Sequence, residues 1–253
     1  MSERRRVLIT GASGGIGKEF ARIFARENFD VIAVARSQDK LEILKIELEQ
    51  FGVQVQVVVQ DLSVSGAGAA VFEQTGDVDV LVNNAGFGEY GSFVKTDWDK
   101  ERRMIDLNIK ALTELCDLYV KGMVDRGHGK IMNVASTAAF FPGPNMAVYF
   151  ATKAYVLSFS EALSVELDGT GVSVSALCPG PTRSDFQKNA SMEGESFARG
   201  NLPSSQEVAE YGYASMMKGD VVAVHGWRNR FMIWSNRFVS RAMMRRILKR
   251  MMK

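Results

Sequence analysis

The sequence predicts an α/β fold built on a doubly wound parallel sheet. Short runs rich in valine and isoleucine alternate with longer amphipathic ones, a glycine cluster follows the first run, and no repeat, low-complexity tract or linker interrupts the chain before residue 190. Each parallel strand pair needs a crossover, so this alternation calls for helices on both faces of the sheet. At 253 residues and 46% hydrophobic, the chain suits one domain with a core large enough to need no staples.

The strands are read in order. RVLIT (6–10), DVIAVA (30–35), VQVQVVV (53–59), VDVLV (78–82), GKIMNVA (129–135) and VSVSALC (172–178) are expected to be strands, with DVVAVH (220–225) a seventh. Between them, SQDKLEILKIELEQF (37–51) reads as a helix that Ser37 caps at its start and Gly52 ends.

Gly11, Gly15 and Gly17 lie where the first strand hands over to a helix, in VLITGASGGIGKEFA. One glycine permits the tight turn, one lets backbone amides approach a pyrophosphate, and one lets helix and strand pack closely; the helix N-terminus then faces the negative charge. The end of the second strand reports which dinucleotide is bound. An acidic residue about 20 residues after the glycines would hold a ribose 2′-hydroxyl. Here Ala35 stands at that place, followed by Arg36 and Ser37. A guanidinium grips a 2′-phosphate with two charge-assisted bonds where a carboxylate would repel it, so NADP(H) is favoured over NAD(H).

Other features narrow the class. Cys116 and Cys178 are far apart with no CxxC pairing, so they read as buried apolar thiols, and neither a disulfide framework nor a metal site is expected. His128 and His225 fit surface or strand-end packing. The opening MSERRRVLIT passes from three arginines into a strand, too short for a signal-peptide core. No apolar run approaches the roughly 20 residues that span a bilayer, and a cytoplasmic setting is expected.

Tyr149 and Lys153, in YFATKAY, share one face of a helical run. Together with the glycine turn they complete a series of motifs that resembles the short-chain dehydrogenase/reductase family from about Arg6 to Gly226. That series is TGASGGIG (10–17), Asp61 and Leu62 in QDLS, NNAG (83–86), Asn108 in DLNIKAL, Ser136 in NVAST, Tyr149 and Lys153, and PGPTR with Pro179, Gly180 and Thr182. One departure is Gly14, which stands where members preferring NADP(H) often carry a basic residue, leaving Arg36 with Ser13 and Ser37 to bind the phosphate.

The resemblance implies an oxidoreductase interconverting a carbonyl and an alcohol, commonly as a homo-oligomer. In it Tyr149 is the acid in reduction and the base in oxidation, Lys153 binds the nicotinamide ribose, Ser136 bonds the substrate oxygen, and Asn108 holds a water connecting Lys153 to solvent. Gly11, Ser13, Gly15, Ile16, Gly17, Asp61, Leu62, Asn83, Ala85, Gly86, Pro179, Gly180 and Thr182 are the expected cofactor contacts. A free tyrosine titrates near 10, and a neighbouring ammonium and a positive nicotinamide are expected to bring that value down. Phe87, Phe140 to Pro144 and Phe150 flank these residues; if they line a pocket the substrate is apolar, and lipid-like carbonyls come to mind. A non-catalytic NADP(H)-binding sensor or scaffold is the rival reading. The segment 183–205 stands where the family has a mobile lid over the substrate.

The tail, 228–253, departs from the general pattern. It holds nine basic residues and no acidic ones, so the other 227 residues carry 22 basic against 29 acidic, a net of −7 beneath an overall +2. Arg237, Arg241, Arg245, Lys249 and Lys253 recur every four residues, and Val239, Met243, Ile247 and Met251 do so two positions later. An offset of about 200° puts the ladders on opposite faces of one basic amphipathic helix. Three occupants are open for its apolar face: a partner subunit or its own domain, an anionic membrane, or, least favoured, nucleic acid. The expected division is therefore a dinucleotide-binding and catalytic domain over 1–227 and this helix over 228–253.

Overall fold

The computed structural model describes residues 4–184, 186, 190 and 202–252. Seven parallel strands form one sheet: β1 Arg6–Thr10, β2 Asp30–Ala35, β3 Val55–Val59, β4 Val80–Asn83, β5 Gly129–Val134, β6 Val172–Cys178 and β7 Val222–Val224, in the spatial order β3-β2-β1-β4-β5-β6-β7. All seven expected strands form, three with the expected bounds and the others within a few residues. The helices are α1 Gly15–Arg26, α2 Gln38–Glu49, α3 Ala67–Thr75, α4 Trp98–Ile105, α5 Leu112–Arg126, α6 Ala147–Glu166, α7 Ser205–Lys218, α8 Trp227–Ser235 and α9 Arg241–Met251.

The strands are apolar throughout because both faces of the sheet are covered. Successive residues alternate between two cores: Val7 and Ile9 join one with Phe20 and Phe24 of α1 and Leu41, Leu44 and Leu48 of α2, while Leu8 joins the other with Val71 of α3, Leu115 and Tyr119 of α5 and Val156 of α6. Cys116 and Cys178 are buried free thiols of the second core.

Strand order reverses at β1, whose neighbours β2 and β4 lie on opposite sides. Open α/β sheets bind ligands in the crevice that such a reversal leaves at the carboxyl edge. At that edge Thr10 and Asn84 tie the two strand ends together. The Thr10 hydroxyl accepts from the backbone amides of Asn84 at 3.0 Å and Ala85 at 2.9 Å, and Asn84 Nδ2 donates to the carbonyls of Thr10 at 2.9 Å and Gly11 at 3.3 Å. Gly11 turns the chain with φ +69°, and a Cβ on it would lie 2.8 Å from Asn84 Nδ2. A Cβ on Gly17 would overlap both the Gly11 carbonyl oxygen and Asn84 Nδ2.

Two local expectations need correction. Ser37 precedes α2 but its side chain makes no capping bond there. The tail is two helices, not one: α8 passes into a 3-10 turn, Asn236–Phe238, Val239 becomes extended, and Ser240 restarts the helix by accepting from the Met243 amide at 3.3 Å. Asn236 is meanwhile anchored through its side-chain amide to the Phe140 carbonyl at 3.0 Å. The expected four-residue ladders therefore do not run through a continuous rod.

Gly17→Ala is expected to lower stability in urea unfolding by about 1–3 kcal/mol, the usual cost of overpacking a closed site. Gly14→Ala, where a Cβ meets nothing within 4 Å, serves as the neutral control.

Candidate active site

The site assembles on the carboxyl edge of β1, β4, β5 and β6 from segments spread along the chain. Its dinucleotide side starts at the turn between β1 and α1. Gly14 is extended just before α1, Gly15 has φ +53°, and a Cβ on Gly14 would meet nothing, so this backbone is open to a close approach. Ser13 and Ile16 are half-buried on the same turn. Arg36 and Ser37 are exposed just past β2.

Asp61 and the buried Leu62 follow β3. The Asp61 carboxylate accepts from the Ser63 amide at 2.9 Å and the Ser63 hydroxyl at 2.7 Å, and Arg103 of α4 stands 3.7 Å away. Partial burial works against its ionisation, but the Ser63 bonds, with Arg36 and Arg103 adding to them, hold the carboxyl below its ordinary value. Arg36 is therefore not the one cation in this region, and Arg103 is a residue that sequence reasoning missed. An arginine on a charged helix face carries no pattern that would single it out.

Asn83 ends β4 with its side chain turned into the molecule. It is 3% exposed and its amide donates to Asn133 at 3.0 Å and toward the Cys116 sulfur at 3.3 Å. Its Oδ1 is buried without a hydrogen-bond partner, so the side chain lies inside the molecule and the backbone is what faces the edge. Ala85 and Gly86 follow in the chain, and a Cβ on Gly86 would come 3.0 Å from Asn108 Oδ1 and 3.5 Å from Lys153 Nζ.

Asn108 lies in a π-helical segment, Asp106–Ala111, joining α4 to α5. Such one-turn widenings of a helix are frequent at functional sites. Its side chain is fully engaged with protein: Oδ1 accepts from the Phe87 amide at 3.2 Å, and Nδ2 donates to the Phe87 carbonyl at 3.0 Å and the Thr152 hydroxyl at 3.1 Å. Thr152 in turn donates to the Tyr149 carbonyl at 2.7 Å. Asn108 thereby locks the β4–α4 loop to α6, and Thr152 is a second positioning residue not singled out from sequence.

Ser136, extended after β5, caps the short turn Thr137–Phe140 and donates to the Pro179 carbonyl at 3.4 Å. Pro179 and Gly180 follow β6, and a Cβ on Gly180 would strike Asn229 Nδ2 at 2.6 Å. The Thr182 hydroxyl donates to the Gly180 carbonyl at 2.9 Å.

Lys153 is buried and donates to the Val134 carbonyl at 2.7 Å. Burial brings its ammonium down to about 8. Tyr149, on the same face of α6, has its ring centroid 5.9 Å from Lys153 Nζ. The expected lowering of the phenol is reversed: burial pushes it up to about 12, and the Ser136 side chain only partly opposes this. The cause is the company Tyr149 keeps. It belongs to an apolar cluster with Met104, Ala138, Met146 and Met252, joined by Phe87, Phe150 and Phe186, and its ring lies 6.1 Å from that of Phe150 and 5.5 Å from that of Phe186.

The aromatic residues that flank Tyr149 and Ser136 in sequence thus divide. Phe87 and Phe150 join the Tyr149 cluster, whereas Phe140 packs against the second core. Met252, at the end of α9, closes the cluster from about a hundred residues downstream, its carbonyl accepting from Asn145 Nδ2 at 2.8 Å and the Tyr90 hydroxyl at 3.4 Å. The anticipated lid, 183–205, lies mostly outside the described residues. Its two stems meet in a short parallel bridge, with the Arg183 amide donating to the Pro203 carbonyl at 2.9 Å, beside Gly15.

The histidines have local uses: His128 is exposed with Nε2 3.2 Å from Asp79, and His225 packs edge-on to Tyr211.

Comparison with known proteins adds the family. The family described as "short chain dehydrogenase" matches residues 5–194. The NADP-dependent 3-hydroxy acid dehydrogenase of Salmonella typhi is 38% identical over 180 residues, covering 69% of this chain and 71% of its own. A short-chain dehydrogenase from Sphingobium yanoikuyae, solved in complex with NADPH, superposes with a TM-score of 0.84 at 32% identity over 92% of this chain and 94% of that one. A bulky-bulky ketone specific alcohol dehydrogenase from Comamonas testosteroni does so with a TM-score of 0.80 at 28% identity, covering 94% and 93%. With a glycine turn, a Tyr–Lys pair and a serine on one sheet edge, and a family match spanning most of its length, the chain belongs to the short-chain dehydrogenase family.

Proposed function

We propose that the protein is an NADP(H)-dependent oxidoreductase that interconverts an apolar ketone or aldehyde and its alcohol, with Tyr149 as the acid in reduction. The observation that carries this is the convergence of Ser136, Tyr149, Lys153 and Asn108 at one sheet edge, with Tyr149 buried in an apolar cluster. The open glycine turn and exposed Arg36 fit a dinucleotide with a 2′-phosphate, and the NADP dependence of the Salmonella relative and the NADPH complex of the Sphingobium enzyme agree with it.

When bound, the nicotinamide supplies or accepts the hydride. The dinucleotide's holders are the backbone of Gly11, Gly15 and Gly17 with Ser13 and Ile16, Arg36 and Ser37 at the 2′-phosphate, Asp61 and Leu62 at the base, and Ala85, Gly86, Pro179, Gly180 and Thr182 along the crevice. The Asn83 side chain is not among them. Lys153 carries its positive charge beside Tyr149 at neutral pH, and Ser136 orients the carbonyl oxygen. Tyr149 keeps its proton in the apolar cluster until the developing alkoxide takes it. Burial pushes the phenol up to about 12, so Tyr149 enters the reaction with its proton in place. The Met- and Phe-rich walls select an apolar substrate, in keeping with the bulky ketones that the Comamonas enzyme's name records. Assembly as a homo-oligomer belongs to the same reading, and α6 offers the exposed Tyr155 and Val165 for it.

NADPH oxidation against a panel of short ketones, aldehydes, oxoacyl thioesters and steroids tests the proposal. Tyr149→Phe is expected to lose about 10²- to 10⁴-fold in turnover while still binding NADPH. Equal activity in the mutant would remove Tyr149 from the chemistry, and silence of the wild type across every class would leave a binding protein.

Because Lys153 is charged below about 8 and neutral above it, kcat/KM for reduction is expected to stay level through neutral pH and to fall as pH rises through that value. A flat profile to pH 9.5 would contradict a Lys153 whose loss of charge near 8 limits the reaction, since this parameter reports groups of the free enzyme. Arg36→Ala is expected to weaken NADPH by about tenfold or more and leave NADH unchanged, as loss of a charge-assisted phosphate clamp requires.

A further inference from the structure

From Trp227 onward the structure turns an unusual surface to solvent. Trp227, Phe231, Trp234 and Phe238 are exposed at 73%, 62%, 53% and 75%, spaced four, three and four residues apart along one flank of α8 and the turn after it. Phe231, Trp234 and Phe238 form a continuous ribbon, with Phe231 5.9 Å from Trp234 and Trp234 5.0 Å from Phe238 between ring centroids, and Trp227 stands one turn before it under the Arg228 guanidinium. Aromatic rings contribute most when buried, and a soluble surface rarely leaves so many together in water.

The next helix repeats the arrangement. α9 turns Met244 and Leu248 toward the domain and buries Met252, while the ladder Met243, Ile247 and Met251 stays 56%, 38% and 55% exposed beside it. The apolar face legible in the sequence is thus not the one its own domain covers. Arg246 and Arg250 follow Met243 and Ile247 by three residues and flank that ladder. Among the described residues, none of Arg237, Arg241, Arg245, Arg246, Lys249 and Arg250 has a carboxylate within ion-pair distance. Nine cations without one anion therefore accompany two exposed apolar faces.

We infer that α8 and α9 dock the protein on an anionic bilayer surface, rings and methionines entering the headgroup boundary and the arginines meeting lipid phosphate. Aromatic residues concentrate at that boundary, and each basic residue adds attraction to a negative leaflet. A second copy presenting the same face would set nine positive charges against nine. The attachment is peripheral, since among the described residues no helix is long and apolar enough to cross a membrane. The inference stands apart from the proposed chemistry, because it rests on no catalytic residue. It also gives the site a location: the helix that docks is the one whose end, Met252, closes the cluster around Tyr149.

The test is co-sedimentation of the full chain with vesicles of phosphatidylcholine alone and with about 30% phosphatidylglycerol, at low and high salt. Binding is expected to the anionic vesicles only and to weaken at high salt. Trp227→Ser/Trp234→Ser and Arg246→Glu/Arg250→Glu are each expected to reduce it by about tenfold or more, with thermal unfolding and NADPH affinity unchanged. The charge pair is exposed, so it tests the proposal even if the tryptophan pair perturbs folding. Wild-type protein left in the supernatant, or either folded variant binding as the wild type does, would overturn docking. So would a sedimentation-velocity shift to a smaller species in the tryptophan variant without any vesicle binding, which would make the face a contact between copies.

Discussion

The amide of Asn84 is the contact on which the site's geometry depends. At the point where strand order reverses, the two strand ends on either side of the crevice would otherwise be held only by the ladder behind them. Asn84 and the Thr10 hydroxyl close that gap with four hydrogen bonds. Because the amide fills the space where side chains at Gly11 and Gly17 would stand, those positions have no room for a Cβ. The glycines do more than bring backbone near a pyrophosphate. They make space for the clamp that fixes β4, and the continuation of β4 through Ala85 and Gly86 is the floor beneath Lys153 and Asn108.

Most of this was legible in the sequence where one short-range rule settled the outcome. Valine-rich runs bounded by turn residues gave strands at the expected places, because a parallel strand covered on both faces can be little else. The Tyr149–Lys153 pair and the glycine turn were legible for the same reason, each being set by local geometry. Where tertiary packing decided, the sequence was silent or misleading. Nothing in DLNIKAL marks a π-helical widening, and Asn83 at the edge of a strand gives no sign that its side chain turns inward to Asn133. The direction of the Tyr149 shift was misread because charge was weighed and burial was not: Met104, Met146 and Met252 come from three distant segments. The tail shows the same limit, since periodicity locates an apolar stripe without saying whether the domain covers that stripe or its neighbour.

The apolar cluster around Tyr149 joins these observations. A phenol surrounded by methionine and phenylalanine keeps its proton, and a lysine buried a few ångströms away is brought down toward neutrality. Starting from nearly equal ordinary values, the two groups have moved apart on the pH scale, the phenol to about 12 and the ammonium to about 8, so burial favours the neutral form of each. Water would undo this by solvating both charged forms, so the walls matter to the chemistry as well as to substrate choice.

Those walls are made at very different distances along the chain. The dinucleotide crevice draws on residues from Thr10 to Thr182, whereas the cluster around the phenol is completed by Met252, anchored to Asn145 and Tyr90 across more than a hundred residues of sequence. Contacts of such long range are slow to form, and chains are made from the amino end. The glycine turn shares that dependence on later sequence, since Phe20 and Phe24 of α1 pack in one core with Val208 and Met216 of α7, so both sides of the sheet edge wait on the last third of the chain.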